Sequence, residues 1–357
     1  MERIFATLLI GALSAASLVA ASTPNPALLV LDKRDNSLAI VDPETLQVVG
    51  RAPAGPDPHE VVASADGRLA YISNYGGLGS SLHTLSVVDL VNKKALPPID
   101  LGVLHSAHGL AFAEGHVYFT AETNKVIGRY DPSVSKIDWV LGIGQDRTHM
   151  IVVRGSAKQI FTSNVNSGTI SVIEETLATG PPPGVAGAGP PASAPGPGRL
   201  PPGDRQRKDW SEVAIKVGVG PEGFDISPDG KEIWAANSHD GTVSVIEVAS
   251  KKMIQTIDAH VEFSNRLKFT ADGRKVLISS LRSGDLAIFD ASARREIKRI
   301  KVGHGAAGIL IQPDDARAYV SCSPDDNVAV IDLKTLSISN RVQPGHEPDG
   351  LAWAVRQ

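Results

Sequence analysis

Cysteine is nearly missing: Cys322 stands alone among 357 residues. A single thiol excludes an intramolecular disulfide, a CxxC redox pair and CxxCH haem attachment. Aromatic residues make up only 5% of the chain, and the net charge is −4 with both signs mixed throughout. That balance argues against a nucleic-acid partner, which would require a basic face. The catalytic signatures HExxH, GxSxG and Walker A are also absent. Gly218-Val219-Gly220-Pro221-Glu222-Gly223 meets the GxGxxG spacing. Without a helix and a βαβ unit behind it, it reads as a turn into a strand rather than a dinucleotide fingerprint. Beyond the N-terminus no apolar run reaches the ~20 residues of a bilayer span.

Hydrophobic residues form 42% of the chain, mainly Val, Ile, Leu and Ala, so a core can be built. Residues 1–21 carry Arg3, an apolar stretch from Ile4 to Val19 interrupted by Ser14 and Ser17, and the small residues Val19-Ala20-Ala21. This is the layout of a cleaved signal peptide, so the mature chain is expected to be periplasmic or secreted, with no membrane span after cleavage. Cys322 is expected to be buried and structural.

The remainder repeats. An acidic residue closes a β-rich run at Asp42, Asp89, Asp131, Glu174, Glu247, Asp290 and Asp332, with gaps of 47, 42, 43, 73, 43 and 42 residues. Each period holds four short strands separated by turn residues. Phe224–Ser227, Ile233–Ala236, Val243–Glu247 and Lys252–Ile257 form one such set, with Pro228-Asp229-Gly230 as its first turn. A four-stranded period near 42 residues specifies a propeller blade, and seven markers specify seven blades. The chain starts mid-blade, with Ala27–Leu31 as a second strand, and ends on a lone first strand within residues 345–355. The C-terminal strand is therefore expected to complete the N-terminal blade and remove the open sheet edges. The fold class is all-β: a seven-bladed β-propeller of four-stranded antiparallel blades.

The succession Gly-x-x-Pro-x-Gly, Ser227-Pro228-Asp229-Gly230, Trp234-Ala235-Ala236-Asn237 and Val243-Ser244-Val245-Ile246-Glu247 resembles the YVTN-type (YncE-like) propeller repeat. Tyr71-Ile72-Ser73-Asn74 and Tyr319-Val320-Ser321-Cys322 are further versions of its tetrad. The resemblance implies an exported seven-bladed propeller, akin in shape to lactonases and amine-dehydrogenase heavy chains, and leaves the reaction open.

The 73-residue gap contains a Pro/Gly/Ala-rich insert, residues 179–209, expected as a flexible loop between the third and fourth strands of blade 4. Its basic end, Arg205 to Lys208, is a potential partner contact or simply a solvated tether. Residues 22–357 otherwise read as one domain.

Aligning the repeats at the entrance to each innermost strand gives His59, His108, His149, Glu222, Asn265, Ala307 and Asp349. In a propeller these positions ring one mouth of the central channel. His59, His108, His149, Glu222 and Asp349 are potential metal ligands, suited to Zn, Cu, Fe or Ni. Asn265 and Arg147 add hydrogen-bonding and anion-holding capacity. Tyr75 and His83, on the long loop 74–83, and the neighbouring His304 and His346 form a potential contact surface. Three readings stay open: polar entrance residues that stitch blades together, a metal centre, and acid–base catalysis in which Glu222 or a histidine activates water. As function, the chain is expected to be an exported binding or scaffold propeller engaging a protein or small ligand. The alternatives are a metal-dependent hydrolase of lactonase type and a propeller subunit of a periplasmic dehydrogenase.

Overall fold

The computed structural model describes residues 22–77, 79–178 and 207–357. The expected signal peptide and most of the insert lie outside these residues. The described chain forms seven four-stranded antiparallel sheets and one short 3-10 helix, Ser323–Asp325. Each blade's first strand packs on the first strands of its two neighbours, closing a ring. No helix among the described residues is long and apolar enough to cross a membrane.

The last strand, Pro348–Ala354, pairs antiparallel with the first, Ala27–Asp32, so that the C-terminus completes blade 1. The seven innermost strands in chain order are Pro58–Ala63, Ala107–Ala113, Thr148–Arg154, Pro221–Ile226, Ser264–Phe269, Ala306–Ile311 and Pro348–Ala354. They belong to blades 2 to 7 and then blade 1.

Burial follows the strand order. Second and third strands are almost wholly buried, as in Leu69–Asn74, because both faces pack against adjacent blades. Fourth strands such as Lys252–Asp258 are largely exposed and carry charge, which discourages edge pairing. The core is a series of inter-blade layers. One joins Leu29, Leu31 and Ile40 of blade 1 to Ile72 and Val88 of blade 2. Each such aliphatic side chain contributes roughly 1.5–3 kcal/mol when fully buried. Cys322 is buried, and burial raises its thiol pKa.

One boundary differs from the sequence reading. The third strand of blade 4 does not stop at Glu174: it runs Thr169–Ala178 and pairs along its whole length with Arg207–Lys216. The hairpin therefore continues past the ring. The last residues of the stretch read as insert are strand, and Lys208 pairs with Glu175 at 2.9 Å.

Candidate functional site at the propeller mouth

Each innermost strand is entered through the same turn. The residue two before the ring position is left-handed in all seven blades: Asp57, Ser106, Arg147, Gly220, Phe263, Gly305 and Glu347. Five of these are not glycine, and a left-handed non-glycine residue costs about 1 kcal/mol or more. In four blades the ring position is followed by glycine, where the next blade's backbone crosses closely. A Cβ on Gly109 would lie 2.4 Å from the His149 carbonyl oxygen, and one on Gly308 2.2 Å from that of Asp349. Left-handed turns and close crossings together draw the ring positions towards one axis.

Blade stitching is performed mainly by other residues than the sequence suggested. The residue preceding the Asn slot of the second strand reaches across. Thr120 Oγ1 donates to the His149 carbonyl at 2.7 Å, Ser163 to that of Glu222 at 3.0 Å, Ser279 to that of Ala307 at 2.6 Å and Ser321 to that of Asp349 at 2.7 Å. These hydroxyls hold the ring residues by their backbones and leave the ring side chains for the channel. Blade 5 has Ala236 at this position, and there Arg266 Nη1 donates to the Asn265 carbonyl instead, at 3.1 Å.

All seven ring positions line one cavity of about 410 Å³, together with Lys33, Tyr75, Arg147 and Arg266. At its centre is His149. Its Nδ1 bonds to Glu122 Oε1, and its Nε2 lies 2.8 Å from Glu222 Oε1, an ion-pair contact not aligned as a hydrogen bond. Burial opposes charge on His149, but Glu222 and Glu122 outweigh it and raise the pKa to about 9. Burial likewise opposes ionisation of Glu222, yet His149 and Arg147 bring its carboxyl down to about 2. Tyr75 donates to Glu122 Oε2 at 2.6 Å, and burial followed by that carboxylate raises its hydroxyl pKa.

The other two ring histidines are shifted the other way. Burial drives His108 well below its ordinary value, with the neighbouring His149 adding to the effect. Its ring lies against that of His149, tilted by 30° with centroids 3.7 Å apart, and its Nδ1 has no hydrogen-bond partner. His59 is lowered by burial too, and its Nε2 lies 3.0 Å from Lys33 Nζ. Lys33 also approaches Asp349 at 3.5 Å. Asn265 Oδ1 is buried without a partner. Below the ring, Arg266 bonds to Glu60. These residues come from blades 6 and 2, three steps apart in a seven-membered ring, so the pair crosses the channel. It separates the polar mouth from a second cavity of about 340 Å³ lined by Phe112, Met150, Leu310 and Trp353.

The structure therefore brings together His59, His108, His149, Glu222, Asn265, Asp349, Arg147 and Tyr75. It does not bring His83, His304 or His346 to the cavity. His83 Nε2 faces Asp100 at 3.7 Å, His304 Nδ1 faces Asp325 at 2.8 Å, and His346 Nδ1 faces Asp35 at 2.9 Å, all on the exposed rim. Sequence reasoning missed Lys33, Glu122 and Arg266. Lys33, Tyr75 and Glu122 share a signal: each follows the Asn slot, which Val165, Ser238, Leu281 and Ser323 follow in the other blades. This is a second ring beside the first.

Among the described residues, the one group of three metal-type side chains with donor atoms within 4.8 Å of one another is His116, Asp131 and Asp138, on the outside of blade 3. Arg129 already holds Asp138 there through two hydrogen bonds, at 2.9 and 2.7 Å. In the mouth, Glu222 and Asp349 face the resident cations His149, Arg147 and Lys33.

No protein-family profile matches the sequence, and no curated protein matches it. Solved structures do match. A functionally unknown protein from Desulfotomaculum acetoxidans shares 11% identity over 93% of this chain and 99% of its own, with a TM-score of 0.70. Kuenenia stuttgartiensis hydrazine synthase shares 15% over 90% and 99%, with a TM-score of 0.66. A protein provisionally assigned as a 6-phosphogluconolactonase from Bacteroides uniformis shares 15% over 92% and 99%, with a TM-score of 0.69. At these identities the likeness is one of fold.

Proposed function

We propose that this chain is an exported β-propeller that binds a small organic ligand in the mouth of its ring. One observation carries the reading. Side chains from all seven blades converge on a single cavity of ligand size, and His108 and Asn265 each bring to it a buried polar atom without a partner. Buried unpaired groups cost about 1–3 kcal/mol each, which a ligand's donors and acceptors would recover.

The charge states favour binding over proton transfer. A carboxylate at about 2 and an imidazole at about 9 are both poorly matched to acid–base work near pH 7. One observation keeps a hydrolase of lactonase type as the second reading. His59, its pKa lowered by burial, has Nδ1 on the Asp57 carbonyl and Nε2 against Lys33, so a substrate that drew the ammonium away would free a base beside a cation. A metal centre at His59, His108, His149, Glu222 and Asp349 would have to displace Lys33 and Arg147 from the carboxylates.

The test is a small-metabolite screen on the mature, untagged protein by thermal shift and calorimetry, with Asn265→Leu as the control variant. Its unpaired Oδ1 gives the free protein nothing, so the variant is expected to keep wild-type stability and lose affinity. Loss of stability with no ligand found overturns the reading. Elemental analysis on the same sample decides the metal alternative: near-stoichiometric Zn, Cu, Fe or Ni, lost in the triple variant H59A/H108A/H149A, would replace the organic ligand by an ion.

A further inference from the structure

The mouth cavity is chemically divided. Its wall from blades 1 to 5 carries Lys33, His59, Tyr75, Arg147 and Glu222. Its wall from blades 6 and 7 carries Leu281, Ala307 and Pro324, with Asn265, Arg266 and Ser323 as its polar members. Two of these stand where other blades place polar groups. Ala307 occupies the ring position held elsewhere by His, Glu, Asn or Asp. Leu281 occupies the second-ring position held by Lys33, Tyr75 and Glu122. Leu281 stays 41% exposed, and Phe263, whose carbonyl accepts from the Leu281 N–H, lies beside it with the Arg282 guanidinium over its ring.

On the polar wall two cations stand in front of the buried acids. Lys33 and Arg147 side chains are each 27% exposed, against 14% for Glu222, 9% for Asp349 and 0% for Glu122. At the rim Glu347 is 37% exposed and is already paired with Arg34. Arg147 lies 3.8 Å from Glu122 and 3.6 Å from Glu222, distances longer than a hydrogen bond. An entering molecule meets guanidinium and ammonium donors beside the Arg34-paired Glu347, and its own anionic group can take up hydrogen bonds that the buried carboxylates do not make.

Building on the reading of the mouth as a small-molecule site, we propose its ligand class: a small amphipathic organic anion. Its acidic head is held by Lys33 and Arg147, and its apolar body lies against Leu281, Ala307 and Pro324. A polyol would leave that apolar wall uncovered. A bare cation would meet two resident cations. A folded polypeptide or a nucleic acid does not fit a volume of about 410 Å³.

The experiment is calorimetric titration of the mature protein with three matched probes. Hydrocinnamate carries both features, hydrocinnamyl alcohol lacks the charge, and gluconate lacks the apolar body. Hydrocinnamate is expected to bind roughly tenfold or more tighter than either partner, since a charge-assisted hydrogen bond and a buried ring edge each supply about that factor. Lys33→Gln and Arg147→Gln should bring hydrocinnamate down to the level of the alcohol. Leu281→Ser should weaken hydrocinnamate several-fold and leave gluconate unchanged. Thermal unfolding of each variant separates misfolding from lost contact.

Gluconate binding as tightly as hydrocinnamate overturns the amphipathic class, as does hydrocinnamate binding that Arg147→Gln and Leu281→Ser leave unaltered. Absence of hydrocinnamate binding at millimolar concentration overturns it as well. In that last case a hit of other chemistry in the wider screen, lost in Asn265→Leu, keeps the mouth as a ligand site. No hit at all removes both readings.

Discussion

Asp32 shows what one atom can do in this repeat. It fills the Asn slot of blade 1. In blades 2, 4 and 5 an asparagine there donates to the hydroxyls of the next strand, as Asn164 does to Thr169 at 3.0 Å and Ser171 at 2.8 Å. The carboxyl cannot repeat that pattern when ionised. Burial raises its pKa from 3.8 to about 7 despite the Arg51 contact at 2.7 Å, and Oδ1 is left without a partner. A folded-state pKa above the unfolded value means that the folded protein holds the extra proton. This site's contribution to stability therefore falls as pH rises from about 4 to about 7. Asp32→Asn should raise stability at pH 8 by on the order of 1–3 kcal/mol, and by less at pH 4, as read by denaturant unfolding at both pH values. An equal change at both would show that the proton is not involved. Within the His149–Glu222 pair, His149 behaves in the same sense at higher pH and Glu222 in the opposite sense. The His149 contribution is complete below its unfolded value near 6.5 and is lost as pH rises through about 9. That of Glu222 is complete above about 4.5 and is lost as pH falls through about 2. Thermal unfolding of wild type against Glu222→Gln should diverge most between these limits and converge towards pH 10.

At the scale of the strand, legibility in the sequence tracks periodicity. The closing acids, the turns centred on Asp66, Asp229, Asp272 and Asp314 and the aromatic tetrads recur at one spacing, so the strands, the blade count and the first ring of mouth residues could be read directly. Glu122 escaped because its tetrad, Tyr118-Phe119-Thr120-Ala121, loses the asparagine that marks the register. Arg266 lies inside a strand, where nothing local distinguishes a channel-facing side chain from a core one. The extended hairpin of blade 4 was hidden because Glu174 looked like every other strand end. The inter-strand hydroxyls were legible as residues and not as roles: Ser and Thr at the tetrad's third position suit a strand equally well without any cross-blade bond. That role predicts an energetic signature. Ser279 accepts from the Arg266 N–H at 3.1 Å and donates to the Ala307 carbonyl at 2.6 Å. Ser279→Ala leaves both backbone groups buried and unpaired, and should cost about 2–4 kcal/mol in chemical unfolding. A loss under ~0.5 kcal/mol would show that the hydroxyl does not stitch the blades.

The whole molecule depends on the meeting of its ends. Pro348–Ala354 is the innermost strand of blade 1, so deleting residues 348–357 removes a wall of the channel, the ring residue Asp349 and the closure together. The truncated chain should unfold at markedly lower temperature and self-associate through the exposed edge of Ala27–Asp32, as size-exclusion chromatography with light scattering would report. A monomeric truncation of unchanged stability would refute closure as the determinant. The Arg266–Glu60 pair carries a further consequence. Propellers are drawn with a hole through the middle, but here a buried ion pair spans it. A bulky partner seated on the face that carries Lys33 and Arg147 would then cover the mouth without touching its occupant.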